Sequence, residues 1–313
     1  MLFRSSIIIP VCNKWKLTQA CLSSVIQTSA GTDISYEIIL ADDGSTDETV
    51  RAAEIFPGIR IVRHRSTLGF LRNCNNAARH TRGDYIVLLN NDTVVLPGWL
   101  EALYSTIHND PTAAIVGSKL LYPSGHIQEA GGGLLANGDG VSIGRLSRSQ
   151  GKSIPCCSRY EPIFNICRET DYVSGASLII RKSFWDRVQG FDVRYTPAYC
   201  EDSDLAMTAR DHGMRVIYCP ASEVIHFEHQ SYAEDRNADH WELMRRNQQL
   251  LVDKWRVRLE QQHLPAGSNW ALVAANGERS TPERAAARRK QGKFNILYFS
   301  PFPSHRSEEH TSE

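Results

Sequence analysis

Net charge is the first thing this chain lacks: 35 basic side chains balance 35 acidic ones over 313 residues. That removes a whole-chain electrostatic case for nucleic acid or a bulk anionic membrane, so any phosphate must be held locally. Patterned cysteine is missing too. The eight cysteines (Cys12, Cys21, Cys74, Cys156, Cys157, Cys167, Cys200, Cys219) include no CxxC pair and no regular spacing. Most lie inside apolar segments, as reduced thiols of a cytosolic protein do, whereas a disulfide framework belongs to short secreted chains. There is no long apolar run. The opening MLFRSSIIIPV is broken by Pro10 and is too short for a signal peptide or a spanning helix. Cytoplasmic residence is expected, with peripheral attachment at the inner face of the membrane left open. Finally, no GxGxxG follows the first apolar run, which excludes the usual dinucleotide-binding reading.

What is present is an alternation of apolar runs and amphipathic segments, with 42% hydrophobic residues, enough for a substantial core. The stretch 85–99, YIVLLNNDTVVLPGW, organises the rest. Its unbroken run from Tyr85 to Leu89 reads as a strand buried on both faces, stopping at Asn90-Asn91-Asp92. Ligands of open α/β sheets bind outside the carboxyl ends of strands, which puts Asp92 where a metal or phosphate would sit. Upstream, residues 6–10 read as a first strand ended by its proline, and Asn13 as the cap of a helix carrying Leu17, Cys21, Leu22, Val25 and Ile26. A second strand, 36–41, runs into Asp42-Asp43-Gly44-Ser45-Thr46-Asp47. Ser45 with Glu48 has the form of a capping box, so the next helix is expected to start there with its amides facing the crevice. A strand at 59–62 and a helix at 71–80 complete a parallel, doubly wound half-sheet.

Downstream the pattern loosens. Residues 113–117 and 119–122 read as two short strands, 131–144 as a mobile glycine-rich region, and 145–170 as a long loop of the kind that serves as a lid. Residues 172–180 read as a strand, Glu201-Asp202-Ser203-Asp204 opens a helix stopped by Gly213, and 215–219 and 223–227 read as two more strands. This gives a main domain over 1–232, a helical extension over 233–262, a linker over 263–292, and over 293–313 the first strand of a further α/β domain. The last residues, 306–313, resemble translated adapter sequence. A lone strand cannot form a core, so the sequence reads as a piece of a longer protein.

Each motif alone is weak. A double Asp before a helix is usually a solvated cap, a strand-end Asp satisfies a turn, and a lone His is usually a bonded core residue. Their order shifts the balance: DDGSTD after strand two, NND after strand four, ED before a later helix, and a strand-end His beyond it. The stretches SIIIPVCN, ADDGSTDET, LGFLRNCNNAARHTRGDYIVLLNNDTVVLPGWL, SGHIQEAGG, VSGASLIIRKSFWDRVQGFD, YCEDSDLAMTARDHGMRVIY and ASEVIHFEHQS span about residues 4–232. Through them the chain resembles the glycosyltransferase family 2 proteins of GT-A fold, particularly the bacterial rhamnosyltransferase-like branch. The resemblance implies an α/β architecture, a Rossmann-like mixed sheet with helices on both faces. It also implies inverting transfer of a sugar from a nucleoside-diphosphate donor, of dTDP-rhamnose or UDP-hexose type, to a hydroxyl of a glycan or lipid-linked acceptor in surface polysaccharide assembly.

The resemblance carries the metal-ligand roles to Asp92 and His226, with His229 the weaker candidate. Oxygen ligands suit Mg²⁺ or Mn²⁺, and an imidazole tilts the choice towards Mn²⁺. Asn90 stands where many members have a first Asp, a form this branch often shows, and Asn91 joins it at the nucleotide. Asp42 and Asp43 are implied to accept from the base imide and ribose hydroxyls, Pro10 and Val11 to line the base pocket, and Arg72 and Asn75 to lie in the segment closing over the nucleotide. Asp202 is the implied general base with Glu201 beside it, and Gly175, Ala176 and the run Gln128-Glu129-Ala130-Gly131 shape the sugar subsites. Thr67 and Ala77 replace the usual Asn and Gly. Two rivals stand beside this reading. A sugar nucleotidyltransferase would need a glycine-rich basic loop after the first strand, which Pro10-Val11-Cys12-Asn13 does not offer. A catalytically weak or inactive nucleotide-sugar-binding domain has Asn90 as its only sequence argument.

Overall fold

The computed structural model describes residues 4–145, 157–228 and 238–266. The first half is built as β1 (Ser5–Val11), α1 (Trp15–Thr28), β2 (Tyr36–Asp42), a 3-10 turn (Glu48–Arg51) leading into α2 (Ala52–Ile55), β3 (Arg60–Arg63), α3 (Phe70–Ala78) and β4 (Tyr85–Leu89). Their four strands are parallel, in the spatial order β4-β1-β2-β3. Then come β5 (Thr93–Val95), α4 (Trp99–Asn109), β6 (Ala113–Leu121), β7 (Ile127–Glu129), β8 (Gly132–Leu134), β9 (Gly140–Ser142), β10 (Arg168–Glu169), β11 (Ser177–Arg181), α5 (Lys182–Val188), α6 (Glu201–Asp211), β12 (Arg215–His226) and α7 (Ala238–Gln262). The sheet extends through β11, antiparallel to both β4 and β6, and on to β12, parallel to β6. The result is a mixed sheet.

Period-2 alternation sorts the strands onto two faces. Ile7, Ile9, Ile38, Leu40, Val87 and Leu89 pack with α1 and α4 residues such as Leu22 and Trp99. Ile8, Ile39, Ile86 and Leu88 pack with Leu71, Trp185, Leu205, Leu251 and Leu259 from α3, α5, α6 and α7. Helices therefore cover both faces, and α7 contributes to the main core.

Several local expectations are corrected. Pro10 does not end β1: it lies inside the strand, past Ile8, the last residue paired with β4, where only β2 remains alongside. Asn13 does not cap α1. With φ of 58° it sits in a left-handed turn with Lys14, and its Oδ1 accepts from the Thr46 and Asp47 amides, while Asp47 accepts from the first amide of α1 at Trp15. Ser45 and Glu48 make no capping box; Asp47 caps the 3-10 turn through Thr49, and Ser45 Oγ accepts from the Asn13 amide. The two loops cap each other across the sheet edge.

The glycine-rich region is ordered as the β8–β9 hairpin. Gly132 is needed there because a Cβ would lie 2.3 Å from the Tyr172 ring. Residues 113–121 and 215–226 form single strands, the second with an irregularity between Cys219 and Glu223, where Pro220 has no donor to give. Of the expected strand at 172–180 only Ser177–Arg181 forms; 172–176 is a loop packed by Val173 against Gly117. The expected lid and linker lie partly, and the further α/β strand wholly, outside the described residues. The cysteines among the described residues are all free thiols; four are buried, but Cys12 and Cys167 are exposed. Among the described residues no helix is long and apolar enough to cross a membrane.

Candidate active site

The strand ends assemble the site in two halves. At β4, Asn90 donates its amide to Ala176 O (2.9 Å), and Asn91 donates to Thr18 Oγ1. The short strand β5 then pairs antiparallel with β12, setting Thr93 opposite His226, while Phe227 N donates to Asp92 O. That pairing brings His226 Nε2 to 3.3 Å from Asp92 Oδ1, with both side chains mostly buried. Gln128, on β7, orients the ring. Its Nε2 faces two acceptors, His226 O (3.4 Å) and Glu228 Oε2 (3.3 Å), which turns its Oε1 to His226 Nδ1 at 2.8 Å. Nδ1 is thereby the donor to Gln128, and Nε2 is the ring nitrogen turned to the Asp92 carboxylate. A carboxylate beside an imidazole whose ring is held by a third side chain is a donor set for Mn²⁺ or Mg²⁺. Among the described residues no group of three His, Cys, Asp or Glu side chains gathers around a common point.

The second half is built on the loop 174–176. Ser174 N donates to Glu129 Oε1 (3.0 Å) and the next amide, Gly175 N, donates to Asp202 Oδ2 (3.2 Å). Asp202 Oδ1 also accepts from Ser203 N at 2.7 Å, as suits a carboxylate in the first turn of α6. Burial holds the Asp202 carboxyl above its usual range. Its neighbour Glu201 is pushed up to about 8 by burial and by the Asp202 charge, and its buried Oε2 meets no hydrogen-bond donor. Glu129 is pushed up to about 7, chiefly by burial, against the hydrogen bonds of Ser142 and Ser174. A Cβ at Gly175 would lie 4.0 Å from Asp202 Cβ, so the loop passes close to the carboxylate.

The two halves close into one ring. Gln128 and Glu129, successive residues of β7, reach His226 and the 174–175 loop respectively, and Asn90 ties that loop back to the turn between β4 and β5 that carries Asp92. Glu129, expected with Gln128 in the run that shapes the sugar subsites, is the residue through which β7 reaches the 174–176 loop.

The remaining candidates line the adjoining edge. Val11 O accepts from Asp43 N, and both Asp43 oxygens accept from the amides of Leu68 (2.7 Å) and Gly69 (2.9 Å), fixing the approach to α3. Asp42, expected at the base, is fully buried in this conformation and contacts Ser45 N and Arg63 instead. Asn75, expected over the nucleotide, exchanges two hydrogen bonds with the Phe191 backbone. Arg72 is exposed with Nε near Thr196 Oγ1, Pro10 and Val11 are buried, and exposed Cys12 follows them at the rim. The Cys74 thiol of α3 is raised by burial and then by both Glu201 and Asp43, so these carboxyls converge on one helix. Of the sequence candidates, Asp92, His226, Gln128, Asn90, Gly175, Ala176 and Asp202 are brought together, with Glu201 beside Asp202. His229 lies outside the described residues.

Residues 85–274, more than half of the chain, match the family model described as "Glycosyl transferase family group 2", and residues 6–134 that described as "Glycosyl transferase family 2". The N-acetylglucosaminyl-diphospho-decaprenol L-rhamnosyltransferase of Mycobacterium tuberculosis is 28% identical over 66% of this chain and 71% of its own length. The O-antigen biosynthesis protein RfbC of Myxococcus xanthus is 28% identical over 75% of this chain. An uncharacterized protein, y4gI, of Sinorhizobium fredii is 25% identical over 80%. The chain spans only 18% and 27% of the length of the last two. Among solved structures, GalNAc-T7 with UDP, GalNAc and Mn²⁺ superposes with a TM-score of 0.57 at 16% identity, covering 72% of this chain and 44% of that one. The mannosyltransferase PcManGT of Pyrobaculum calidifontis, in complex with GDP-Man and Mn²⁺, gives 0.55 at 19% identity, covering 82% and 64%.

Proposed function

Because the chain belongs to glycosyltransferase family 2 and has the GT-A fold, we propose that it is an inverting transferase that moves a sugar from a nucleoside diphosphate to an acceptor hydroxyl. The observation that carries this reading is the closed ring: the Asp92–His226 pair and the Asp202 carboxylate are joined through Gln128, Glu129, Asn90 and the 174–176 loop.

Asp202 is the base in this reading. Its Oδ1 accepts from both the amide and the hydroxyl of Ser203, while Oδ2 accepts only the Gly175 amide hydrogen and keeps a second lone pair for the acceptor hydroxyl. Desolvation, which raises its proton affinity, makes it a stronger base than a solvated aspartate. Asp92 and His226 would hold Mn²⁺ or Mg²⁺, with Gln128 fixing the imidazole. Bound there, the cation neutralises the charge that develops on the leaving diphosphate. Asp43 holds the loop at 68–69 and thereby shapes the wall of the nucleotide edge, alongside Val11 and Asn91.

For the donor we favour a dTDP-rhamnose or UDP-hexose type, and for the acceptor a glycan or lipid-linked sugar. What supports this is likeness to a rhamnosyltransferase named for a decaprenyl-diphosphate substrate and to an O-antigen biosynthesis protein. A lipid-linked acceptor in turn fits peripheral association with the inner face of the membrane. The test is release of free nucleoside diphosphate across a donor panel, with and without Mn²⁺. Asp202→Asn is expected to lower kcat by about 10²–10⁴ while donor affinity is retained. Equal loss of both sinks the base assignment, and binding without turnover on every donor favours a non-catalytic domain.

A further inference from the structure

The segment that delivers Asp202 is strained and is held from a distant helix. Tyr199 and Cys200, immediately before α6, both have positive φ (80° and 68°), and Cys200 at the N-cap makes no side-chain capping bond. Non-glycine residues adopt that region at a cost, and two in succession persist only when their surroundings over-determine them. The restraint comes from Asn247, fully buried in α7. Its Nδ2 lies 2.8 Å from Tyr195 O, 2.7 Å from Ala198 O and 3.0 Å from Tyr199 O. Three carbonyls around one atom identify it as the amide nitrogen, its two hydrogens shared among them. Arg246 locks the carboxamide by donating to its Oδ1 (3.0 Å) and itself donates to Thr196 O (2.7 Å). Two turns further along α7, Lys254 and Trp255 donate to Asp204 at 2.8 and 2.7 Å, gripping the first turn of α6 beside the same strained segment.

We propose that Asn247 is a positioning residue for the base: its amide gathers the carbonyls of residues 195, 198 and 199 so that the left-handed turn delivers Asp202 to the Gly175 amide. This rests on the reading of Asp202 as the base. Without the amide, three carbonyls lose a buried donor and the turn is free to relax, drawing Asp202 away from its contact. A misplacement of about 1 Å at a reacting group costs about 10²-fold in rate.

The experiment uses the full chain and compares wild type, Asn247→Ala, the isosteric Asn247→Asp, which removes both donors, and Leu259→Ala. Leu259 is buried in the same helix away from the turn and serves as the stability control. Both Asn247 variants are expected to lose about 10- to 100-fold in kcat with donor KM within about twofold of wild type. Leu259→Ala is expected to lower Tm at least as far while keeping kcat per folded molecule. Wild-type kcat in the Asn247 variants, or loss of kcat in Leu259→Ala in step with Tm, overturns the inference. If the Asn247 variants do not fold, Trp255→Phe removes the indole donor on Asp204 while keeping an aromatic ring at the core and under Lys254, and is expected to lower kcat severalfold at constant KM; unchanged kcat there overturns it equally. Turnover that Asp202→Asn leaves intact fails the base assignment and this inference with it. Turnover that Asp202→Asn abolishes and the Asn247 variants preserve fails this inference alone.

Discussion

Glu129 is a buried carboxyl that joins the two halves of the site, and Glu129→Gln isolates what its charge costs the fold. The amide can replace the acid in place: its oxygen accepts from Ser174 N, and its nitrogen donates to Ser142 Oγ, which now bonds Glu129 Oε2. The shape is kept and the titration is removed. In the folded protein Glu129 is raised from 4.5 to about 7, so folding takes up a proton between those values. A raised carboxyl destabilises as pH rises: stability from this group is complete below pH 4.5, falls by about 1.4 kcal/mol per pH unit, and is flat again above 7. The whole span is about 3 kcal/mol. Relative to wild type, Glu129→Gln should therefore gain stability towards alkaline pH, the gap widening by about 2 kcal/mol between pH 5.5 and 8. For a domain of this size that is a Tm difference growing by about 4–8 °C. Thermal and urea unfolding of both proteins at pH 5.5, 6.5, 7.5 and 8.5 measures it. A gap independent of pH, or one that widens towards acid, refutes the claim that Glu129 is held close to neutrality by burial.

Two further changes probe the cation half and the hairpin. Gln128→Leu removes the acceptor that fixes His226 Nδ1 as donor and should weaken Mn²⁺ binding about 10- to 100-fold by calorimetry, with Tm little changed; unaltered affinity dissociates Gln128 from the imidazole. Gly132→Ala places a methyl 2.3 Å from the buried Tyr172 ring, so it should cost about 1–3 kcal/mol, read as a lower Tm, and an unchanged Tm would show that the ring moves freely.

The parts of the fold that depend on one residue's neighbours in sequence were legible. Apolar runs such as Ile7-Ile8-Ile9 and Ile86-Val87-Leu88 alternate between two apolar clusters, which is what a strand covered on both faces requires, and the helices followed from their 3.6 period. Local grammar failed where loops bond to each other instead of to themselves. Asn13 and Ser45 have the composition of caps, yet Asn13 serves the amides at 46 and 47, and Asp47 serves the helix that Asn13 was expected to start. Composition also misread residues 131–144, because glycine answers two needs: freedom in a mobile loop, or room for a neighbour's side chain. Tyr172 over Gly132 decides for the second.

The same distinction explains which site residues were visible. Asp92, Asp202 and His226 end strands or open helices, positions that the order of elements turns towards one edge, so their convergence could be argued before any coordinate was known. Asn247 has no such position. It lies mid-helix among charged residues, where a lone Asn is usually solvent-facing, and its role appears only once Tyr195, Ala198 and Tyr199 are seen to present three carbonyls to one nitrogen. The need for such a residue could have been anticipated, because Tyr199-Cys200-Glu201 has no glycine with which to make its left-handed turn and some other element had to hold it. The strain at the base and the amide that restrains it are thus one feature divided between two distant segments. For that reason a change at Asn247 should register in kcat before it registers in donor binding.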